Sequence, residues 1–181
     1  MRVEIRRIAA EEGPLLMQVR LLALLDAPYA FAGTYIESIQ QPPEHWAERA
    51  GAAAAGGESA IYLAHAPDGV VGMAGAYQPA ETQDTRMIYG VWVEPVLRGQ
   101  GLARRMVETL VEWAGAAGAD QCALWVAESN APAVALYESL GFESTGERQP
   151  FPPNPVETER KLVRPAGRGQ SGGSRSAGTA W

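Results

Sequence analysis

A short segment with glycines between arginines has the residue types that bind an anion. It follows the apolar run Val91-Trp92-Val93 and reads Arg98-Gly99-Gln100-Gly101-Leu102-Ala103-Arg104. Glycine lets a backbone approach a ligand closely, and the first N–H groups of a helix have no partner within that helix. Since the helix dipole and the arginines add positive charge, the segment predicts a binding site for a phosphate or pyrophosphate group.

Two other interpretations of this segment follow from its residues. The simpler one is a turn before a core helix whose basic edge is solvated. The other is a dinucleotide-binding fold, because Asp120 lies at about the spacing of a ribose contact. However, Arg104 occupies the third glycine position of a G-x-G-x-x-G motif, and residues 94–98 make the turn too long for that motif. The dinucleotide interpretation is therefore disfavoured.

A second segment supports the interpretation of the first as a ligand-binding site, and the two segments together resemble those of a known family. It reads Asn130-Ala131-Pro132-Ala133-Val134-Ala135-Leu136-Tyr137-Glu138-Ser139-Leu140-Gly141-Phe142. The first segment resembles the Q/R-x-x-G-x-G/A signature of the GNAT superfamily of N-acetyltransferases, and the second resembles the N-x-x-A-x-x-L/F-Y-x-x-x-G-F segment of that superfamily. The second segment is also similar to that of the bacterial ribosomal-protein N-terminal acetyltransferases. The resemblance covers the chain from Val3 to Val163.

The resemblance implies acetyl-CoA as co-substrate and no metal. In the superfamily the fourth and fifth strands splay apart, the pantetheine arm lies in the gap, and the backbone of the glycine segment holds the pyrophosphate. Asn130 would lie beside the pantetheine arm, with an N-cap role in the next helix as the structural alternative. The implied cofactor-binding residues are Val91, Trp92, Val93, Arg98, Gly99, Gln100, Gly101, Leu102, Ala103, Arg104 and Asn130.

Tyr137 corresponds in this resemblance to the tyrosine that protonates the departing CoA thiolate in many members of the superfamily. The chemistry is suitable because a phenol with a pKa of about 10 can donate a proton to a forming thiolate whose own pKa is about 8.5. The alternative is a core aromatic residue at helical spacing with Ala133 and Leu140. The resemblance favours the catalytic acid.

The general base is left open by the sequence. The ribosomal-protein enzymes carry a glutamate five residues before the asparagine, where this chain has Trp125. Histone-type members often place an acid early in the fourth strand, where this chain has Met87-Ile88-Tyr89. The remaining candidates, besides a water chain, are Glu94, Glu128, Glu81, Asp84 and Tyr89.

Hydrophobic spacing predicts the elements that must position both segments. Their order is β-α-α-β-β-β-α-β-α-β-β, an α/β fold with a mixed sheet and helices on its faces. This is also the order of the GNAT acyltransferase fold, for which the resemblance implies splayed fourth and fifth strands. The predicted strands are 3–8, 60–65, 70–77, 87–93, 122–126, 142–145 and 156–163, and the predicted helices are 15–23, 46–55, 101–117 and 131–140.

Residues 1–164 are predicted to form one domain, and residues 165–181, rich in glycine and serine, a flexible tail. The resemblance implies an acceptor pocket built from the first two helices, their connecting loop and the late strands. The predicted wall residues are Phe31, Tyr35, Trp46 and Tyr77, with the loop 151–155 above them. No motif in these regions identifies the acceptor, so we expect a small amine or a peptide N-terminus. The resemblance also implies that the protein could form a homodimer.

Composition argues against several other classes of protein. The 181-residue chain has a net charge of -6, which disfavours binding to nucleic acid or to an anionic membrane through a general basic field. One cysteine, Cys122, and two histidines cannot form a Cys/His zinc site. Charges interrupt the N-terminal segment and no run reaches about 18 apolar residues. We therefore expect no signal peptide, no membrane span and a cytoplasmic location.

Together these features predict an acetyl-CoA-dependent N-acetyltransferase in which a primary amine attacks the thioester directly within a ternary complex. The alternative, from a different class, is a catalytically idle acyl-CoA-binding module that senses the cofactor or regulates a partner. The tyrosine favours the enzyme, whereas the missing usual base favours the sensor.

Overall fold

Seven strands form one sheet in the computed structural model, which describes residues 2–167. In chain order they are β1 (Glu4–Arg7), β2 (Ser59–Ala66), β3 (Gly69–Tyr77), β4 (Thr85–Val93), β5 (Gln121–Ala127), β6 (Glu143–Phe151) and β7 (Asn154–Pro165). Their order across the sheet is β1-β2-β3-β4-β5-β7-β6, and each neighbouring pair is antiparallel except β4 and β5. The predicted α/β architecture with a mixed sheet is confirmed.

Helices cover both faces of the sheet. They are α1 (Gly13–Asp26), α2 (Tyr35–Ile39), α3 (Pro43–Ala55), α4 (Leu102–Ala116) and α5 (Ala131–Ser139), with 3-10 turns at Pro28–Ala30 and Pro95–Leu97. Within residues 2–167, none of them has the length and apolar character to cross a bilayer. On β2, Ile61 and Leu63 pack with α1 and α3, whereas Ala60 and Ala64 belong to the core formed with α4. The alternation along the strand therefore supports two apolar cores, one on each face.

Helix α2 is absent from the predicted order of elements. Thr34 and Glu37 form a capping box, in which the Thr34 hydroxyl accepts the Glu37 N–H and the Glu37 carboxylate accepts the Thr34 N–H at 2.8 Å. The helix has no buried residue, so hydrophobic spacing does not reveal it. The Thr-x-x-Glu spacing was the signal that could have found it.

Strands β4 and β5 separate after a short paired segment. Their paired residues run from Thr85 with Gln121 to Met87 with Ala123. Beyond this point β4 continues to Val93 and pairs only with β3, while β5 continues to Ala127 and pairs only with β7. The predicted splay of the fourth and fifth strands is confirmed, and it leaves backbone groups of both strands facing the gap.

A bulge bends β4 where it borders this gap. Met73 of β3 pairs with Trp92, but Gly75 pairs with Tyr89, so β4 has one extra residue between these two pairs. Gly90 lies at this point with φ 65°, in the left-handed region that favours glycine. The bulge therefore changes the direction of the β4 backbone at the position where the two strands have moved apart.

The last two strands are longer than predicted. All β6 residues except Phe151 are exposed, so no apolar alternation marks the part of the strand beyond residue 145. The predicted loop 151–155 is reduced to a tight turn between β6 and β7. Strand β7 continues through Pro165, and Ala166 is buried, with its N–H donated to the Asp120 carbonyl at 2.8 Å. Packing thus extends beyond the predicted boundary at residue 164, and residues 168–181 of the predicted tail lie outside the described residues.

Candidate active site

The gap between β4 and β5 opens into a cavity of about 480 Å³, here called the first cavity. Its walls are the end of β4, the loop that leads into α4, the start of α4, one side of α5 with its cap residue Asn130, and residues from the segment 27–31. The sequence-predicted residues that line it are Val91, Trp92, Val93, Arg98, Gly99, Gly101, Leu102, Ala103, Arg104, Asn130 and Tyr137. Gln100 does not line it, because its side chain is exposed and donates to the Val96 carbonyl at 3.2 Å.

The start of α4 faces the first cavity without a side-chain cap. Gly101, the N-cap residue, makes no side-chain hydrogen bond, and the first turn has no acidic residue. The N–H groups of Leu102, Ala103 and Arg104 precede the first intrahelical bond, which Arg105 donates to the Gly101 carbonyl at 3.1 Å. Such a terminus, with its partial positive charge, is suited to an anionic group.

The two glycines of this segment are needed for its backbone conformation. Gly99 has φ 73° and Gly101 has φ 79°, both in the left-handed region. A Cβ atom added at either position would meet no described atom within 4 Å. Strain in the backbone, and not crowding by the protein, therefore selects glycine, and the space beside it stays open for a ligand.

Arg98 is held by the protein and does not have a free guanidinium. Its Nε donates to the Val93 carbonyl at 2.9 Å, and its Nη2 donates to a carboxylate oxygen of Asp26. The same Asp26 oxygen accepts the indole N–H of Trp92 at 2.8 Å. The Arg98 side chain thus fixes the loop before α4 to β4 and to the end of α1, while the residue still lines the first cavity.

Arg104 lies at the edge of the first cavity between two helices. Its Nη2 donates to the Ser139 hydroxyl of α5 at 2.6 Å, and its Nη1 lies 3.9 Å from a carboxylate oxygen of Glu108. The guanidinium is partly exposed, so it keeps contact with solvent and with the cavity. It connects the start of α4 to the end of α5 and adds positive charge near the uncapped terminus.

Tyr137 separates the first cavity from a second one. Its side chain lines both cavities and is 9% exposed. Its ring packs edge-on against Phe142 at a centroid distance of 5.8 Å. Burial raises the pKa of the Tyr137 phenol above its usual value, so the hydroxyl keeps its proton at neutral pH. The position combines a packing role with access to both cavities.

Asn130 also lines both cavities while it caps a helix. Its side-chain oxygen accepts the N–H of Ala133 at 3.3 Å at the start of α5. The capping alternative raised by the sequence is therefore present in the structure. Because this cap stabilises the start of α5, Asn130 also supports the helix that carries Tyr137.

The second cavity, of about 380 Å³, lies between the splayed strands on the side of α1 and the β6–β7 hairpin. Phe31, Tyr77, Phe151 at the end of β6 and the turn residue Pro152 line it, and all four are among the residues predicted to surround an acceptor. Trp46 does not, because it is buried in the core between α1 and α3. Tyr35 packs against that same core and does not line the cavity either.

Most of the general-base candidates named from the sequence lie outside both cavities. Glu94, Glu81, Asp84 and Glu128 line neither of them. Thr82 and Thr85 donate to the Asp84 carboxylate and lower its pKa, and Glu128 forms an ion pair with Arg148 at 2.7 Å. Tyr89 does line the second cavity, where its hydroxyl accepts from Arg49 at 3.0 Å.

Glu159 is a carboxylate of the second cavity that sequence reasoning missed. It is 5% exposed, on β7, and its Oε1 accepts from the Gln149 side chain at 2.6 Å. Burial raises the pKa of this carboxyl above its usual value. No local signal marks it, since the surrounding sequence of β7 is charged and is typical of a solvated strand.

The remaining reactive side chains do not form a second site among the described residues. No group of three or more His, Cys, Asp and Glu side chains within residues 2–167 could hold a metal ion. Cys122 is fully buried, and burial raises the pKa of its thiol to about 11. His45 and His65 line neither cavity.

Comparison with known proteins adds a family relationship to this geometry. The family model described as "Acetyltransferase (GNAT) family" matches residues 22–142. Human N-acetyltransferase 8 is 30% identical over 92 residues, which are 49% of this chain and 40% of that protein. The [ribosomal protein bS18]-alanine N-acetyltransferase of Escherichia coli K12 is 40% identical over 70 residues, which are 38% of this chain and 47% of that protein. The chain thus spans less than half the length of these relatives.

The fold itself recurs in solved structures. The protein yncA of Salmonella typhimurium, solved with acetyl-CoA as its cofactor, superposes with a TM-score of 0.73 at 17% identity. The superposition covers 96% of this chain and 99% of that one. At such low identity the similarity establishes the shared fold.

Proposed function

Because the chain belongs to the GNAT acetyltransferase family, we propose that it transfers the acetyl group of acetyl-CoA to a primary amine by direct attack within a ternary complex. The observation that carries this proposal is the gap between β4 and β5, which leads from the uncapped start of α4 to a second cavity across Tyr137. One cavity suits an anionic cofactor, and the other suits an acceptor.

The residues of the first cavity fit acetyl-CoA. The open N–H groups at the start of α4 would bind the pyrophosphate, with Arg104 at the edge of the cavity. The backbone of Val91 to Val93 has no strand partner on the gap side and would bond to the amides of the pantetheine arm. Acetyl-CoA supplies an acyl group activated as a thioester. The N–H groups of β4 beside the bulge would stabilise the negative charge that develops on the carbonyl oxygen.

Proton transfer would use side chains on the wall of the second cavity. Glu159 would take a proton from the acceptor's ammonium group, because its raised pKa makes it a stronger base than a solvated carboxylate. The neutral amine then forms a bond to the carbonyl carbon, the nitrogen passes its second proton to water, the carbon–sulfur bond breaks, and Tyr137 would donate its hydroxyl proton to the sulfur. Water would return a proton to the phenolate after product release.

Titration of acetyl-CoA and CoA into the purified protein tests the cofactor site. In Gly101→Glu a carboxylate would project into the space beside the uncapped helix start, so we expect affinity to fall at least about 100-fold through charge and steric exclusion. Gly101→Ala is the matched control, since it introduces only the backbone strain of a left-handed residue, about 1–2 kcal/mol. Absence of wild-type binding, or equal binding by Gly101→Glu, would disprove the proposal.

A catalytically idle acyl-CoA-binding module is the second candidate function. The observation that favours it is that the carboxylates named as bases from the sequence all lie outside the two cavities. Release of free thiol from acetyl-CoA in the presence of a library of amines separates the two functions. Turnover with at least one amine identifies the enzyme, whereas cofactor binding without turnover identifies the sensor.

A further inference from the structure

Arg20 of α1 lines the second cavity and has no anionic partner among residues 2–167. Its guanidinium stacks over the ring of Phe31, with 4.6 Å between the guanidinium carbon and the ring centroid. It forms neither an ion pair nor a hydrogen bond with any of residues 2–167. A partly buried cation without a partner is costly unless a ligand supplies the opposite charge.

Arg49 places a second positive charge close to Arg20. Burial and the nearby charge of Arg49 lower the pKa of Arg20 to about 10, which still leaves it protonated at neutral pH. Arg49 itself donates to the Tyr89 hydroxyl at 3.0 Å and forms no ion pair with a described residue. The Glu37 carboxylate and the Arg20 guanidinium both lie near Gly33. The carboxylate, however, accepts hydrogen bonds from the N–H and hydroxyl groups of Thr34 in the capping box. Neither guanidinium therefore forms an ion pair within residues 2–167, although the whole chain is acidic.

Opposite charges occupy the two sides of this cavity. An Nη1 atom of Arg20 lies 3.9 Å from the position that a Cβ of Gly90 would take, so the guanidinium belongs to the β4 side of the gap. Glu159 belongs to the β5 side, where it is the strand partner of Ala127. A ligand between the splayed strands would meet a carboxylate on one side and a guanidinium on the other.

We propose that the acetyl acceptor is a free amino acid, whose carboxylate is bound by Arg20 with support from Arg49 and whose amino group faces Glu159. This inference rests on the proposed function, because it assigns the acceptor of the same site. An arginine fork is suited to a carboxylate through paired charge-assisted hydrogen bonds. The first residue of a peptide presents a neutral amide at that position, so free amino acids would be preferred over peptide N-termini.

The test compares sets of acceptors that differ only in the carboxylate. Each set contains a free amino acid, its carboxamide and the amine without the carboxyl carbon: leucine, leucinamide and isoamylamine, and the corresponding phenylalanine set. Both calorimetric binding to the CoA-saturated protein and acetyl transfer from acetyl-CoA are measured. We expect the amino acid of at least one set to bind about 10-fold to 100-fold more tightly than its carboxamide, although the carboxamide has the more readily deprotonated amine.

The variant Arg20→Gln should remove this preference and leave acetyl-CoA binding unchanged, and Arg20→Lys should restore part of it. Arg148→Gln, which removes one arginine charge from an exposed ion pair outside both cavities, is the matched control. Equal binding of amino acids and carboxamides by the wild type, or an unchanged preference in Arg20→Gln, would overturn the inference. Failure of the wild type to bind acetyl-CoA would instead contradict the proposed function. The binding comparison identifies the acceptor class even if no turnover is detected.

Discussion

Tyr137 and Glu159 show how the same physical effect can serve opposite chemical roles. Both side chains are buried on the wall of the second cavity, and burial raises the pKa of each because it disfavours the charged form. For the phenol the result is a hydroxyl that stays protonated at neutral pH and would be available to the departing sulfur in the proposed reaction. For the carboxyl group the result is that the ionised carboxylate binds a proton more strongly. The proposed proton donor and the proposed proton acceptor thus border one cavity.

Replacement of Tyr137 by phenylalanine tests the acid role. The ring and its edge-on contact with Phe142 are kept, so we expect folding and CoA affinity to be unchanged while kcat falls by about 100-fold or more. Single-turnover kinetics with acetyl-CoA and an active amine, together with a CoA titration, measure both quantities. A variant with wild-type kcat would show that Tyr137 is only a packing residue.

Replacement of Glu159 by glutamine tests the base role through the pH profile. In the wild type, kcat/KM should rise with pH as Glu159 loses its proton, with an apparent pKa above that of a solvated glutamate. The glutamine variant should lose this limb and most of its activity. Gln149 would still find an oxygen acceptor at position 159.

Although Glu159→Gln should lower activity, it should not lower stability at neutral pH. A carboxyl group whose pKa is raised by folding contributes stability below its unfolded pKa and loses that contribution as pH rises through its folded pKa. Near pH 7 the neutral glutamine should therefore melt at the same temperature as the wild type or higher. A lower melting temperature at neutral pH would contradict the assignment of Glu159 as a buried, unfavourably ionised group.

At the scale of elements, Asp26 joins three parts of the fold. It ends α1, accepts the indole N–H of Trp92 on β4, and pairs with Arg98 in the loop before α4. The Arg98 guanidinium also donates to the end of β4. The orientation of the glycine segment relative to the gap thus depends on a contact from the first helix.

The variant Asp26→Asn tests this connection. It keeps one oxygen acceptor but removes the charge shared by Arg98 and Trp92, so we expect a loss of about 1–2 kcal/mol in the free energy of unfolding and a weaker affinity for acetyl-CoA. Chemical denaturation and cofactor titration measure the two effects. Glu128→Gln, in the exposed pair with Arg148, is the control and should change neither quantity measurably. Unchanged cofactor affinity in Asp26→Asn would separate Asp26 from the cofactor site.

At the scale of the whole molecule, two apolar cores make the gap a stable feature. One core packs α4 against one face of the sheet, and the other packs α1 and α3 against the opposite face. Strand β4 is anchored to β3 and strand β5 to β7, so each side of the gap has its own support. The separation of the strands therefore costs only the pairing between them, and backbone groups remain available to a ligand.

The sequence by itself determined the order of most elements, the mixed sheet and the two segments that contain Gly101 and Tyr137, whereas the gap beside them was implied by the resemblance to the GNAT superfamily. These features depend on residues close together in the chain: apolar spacing, left-handed glycines and the residues that begin and end helices. Helix α2 was also marked locally, by Thr34 and Glu37, but through a capping signal that apolar spacing does not include.

Only the tertiary structure decided which side chains face the cavities and which are already engaged. It paired Arg98 with Asp26, placed Trp46 in a core, and brought Arg20 and Glu159 to opposite sides of the second cavity. These residues come from elements far apart in the chain, and nothing in their local sequence distinguishes them from solvated charges or ordinary core positions. Their roles arise from burial and charge compensation, which are properties of the folded molecule and not of any single segment.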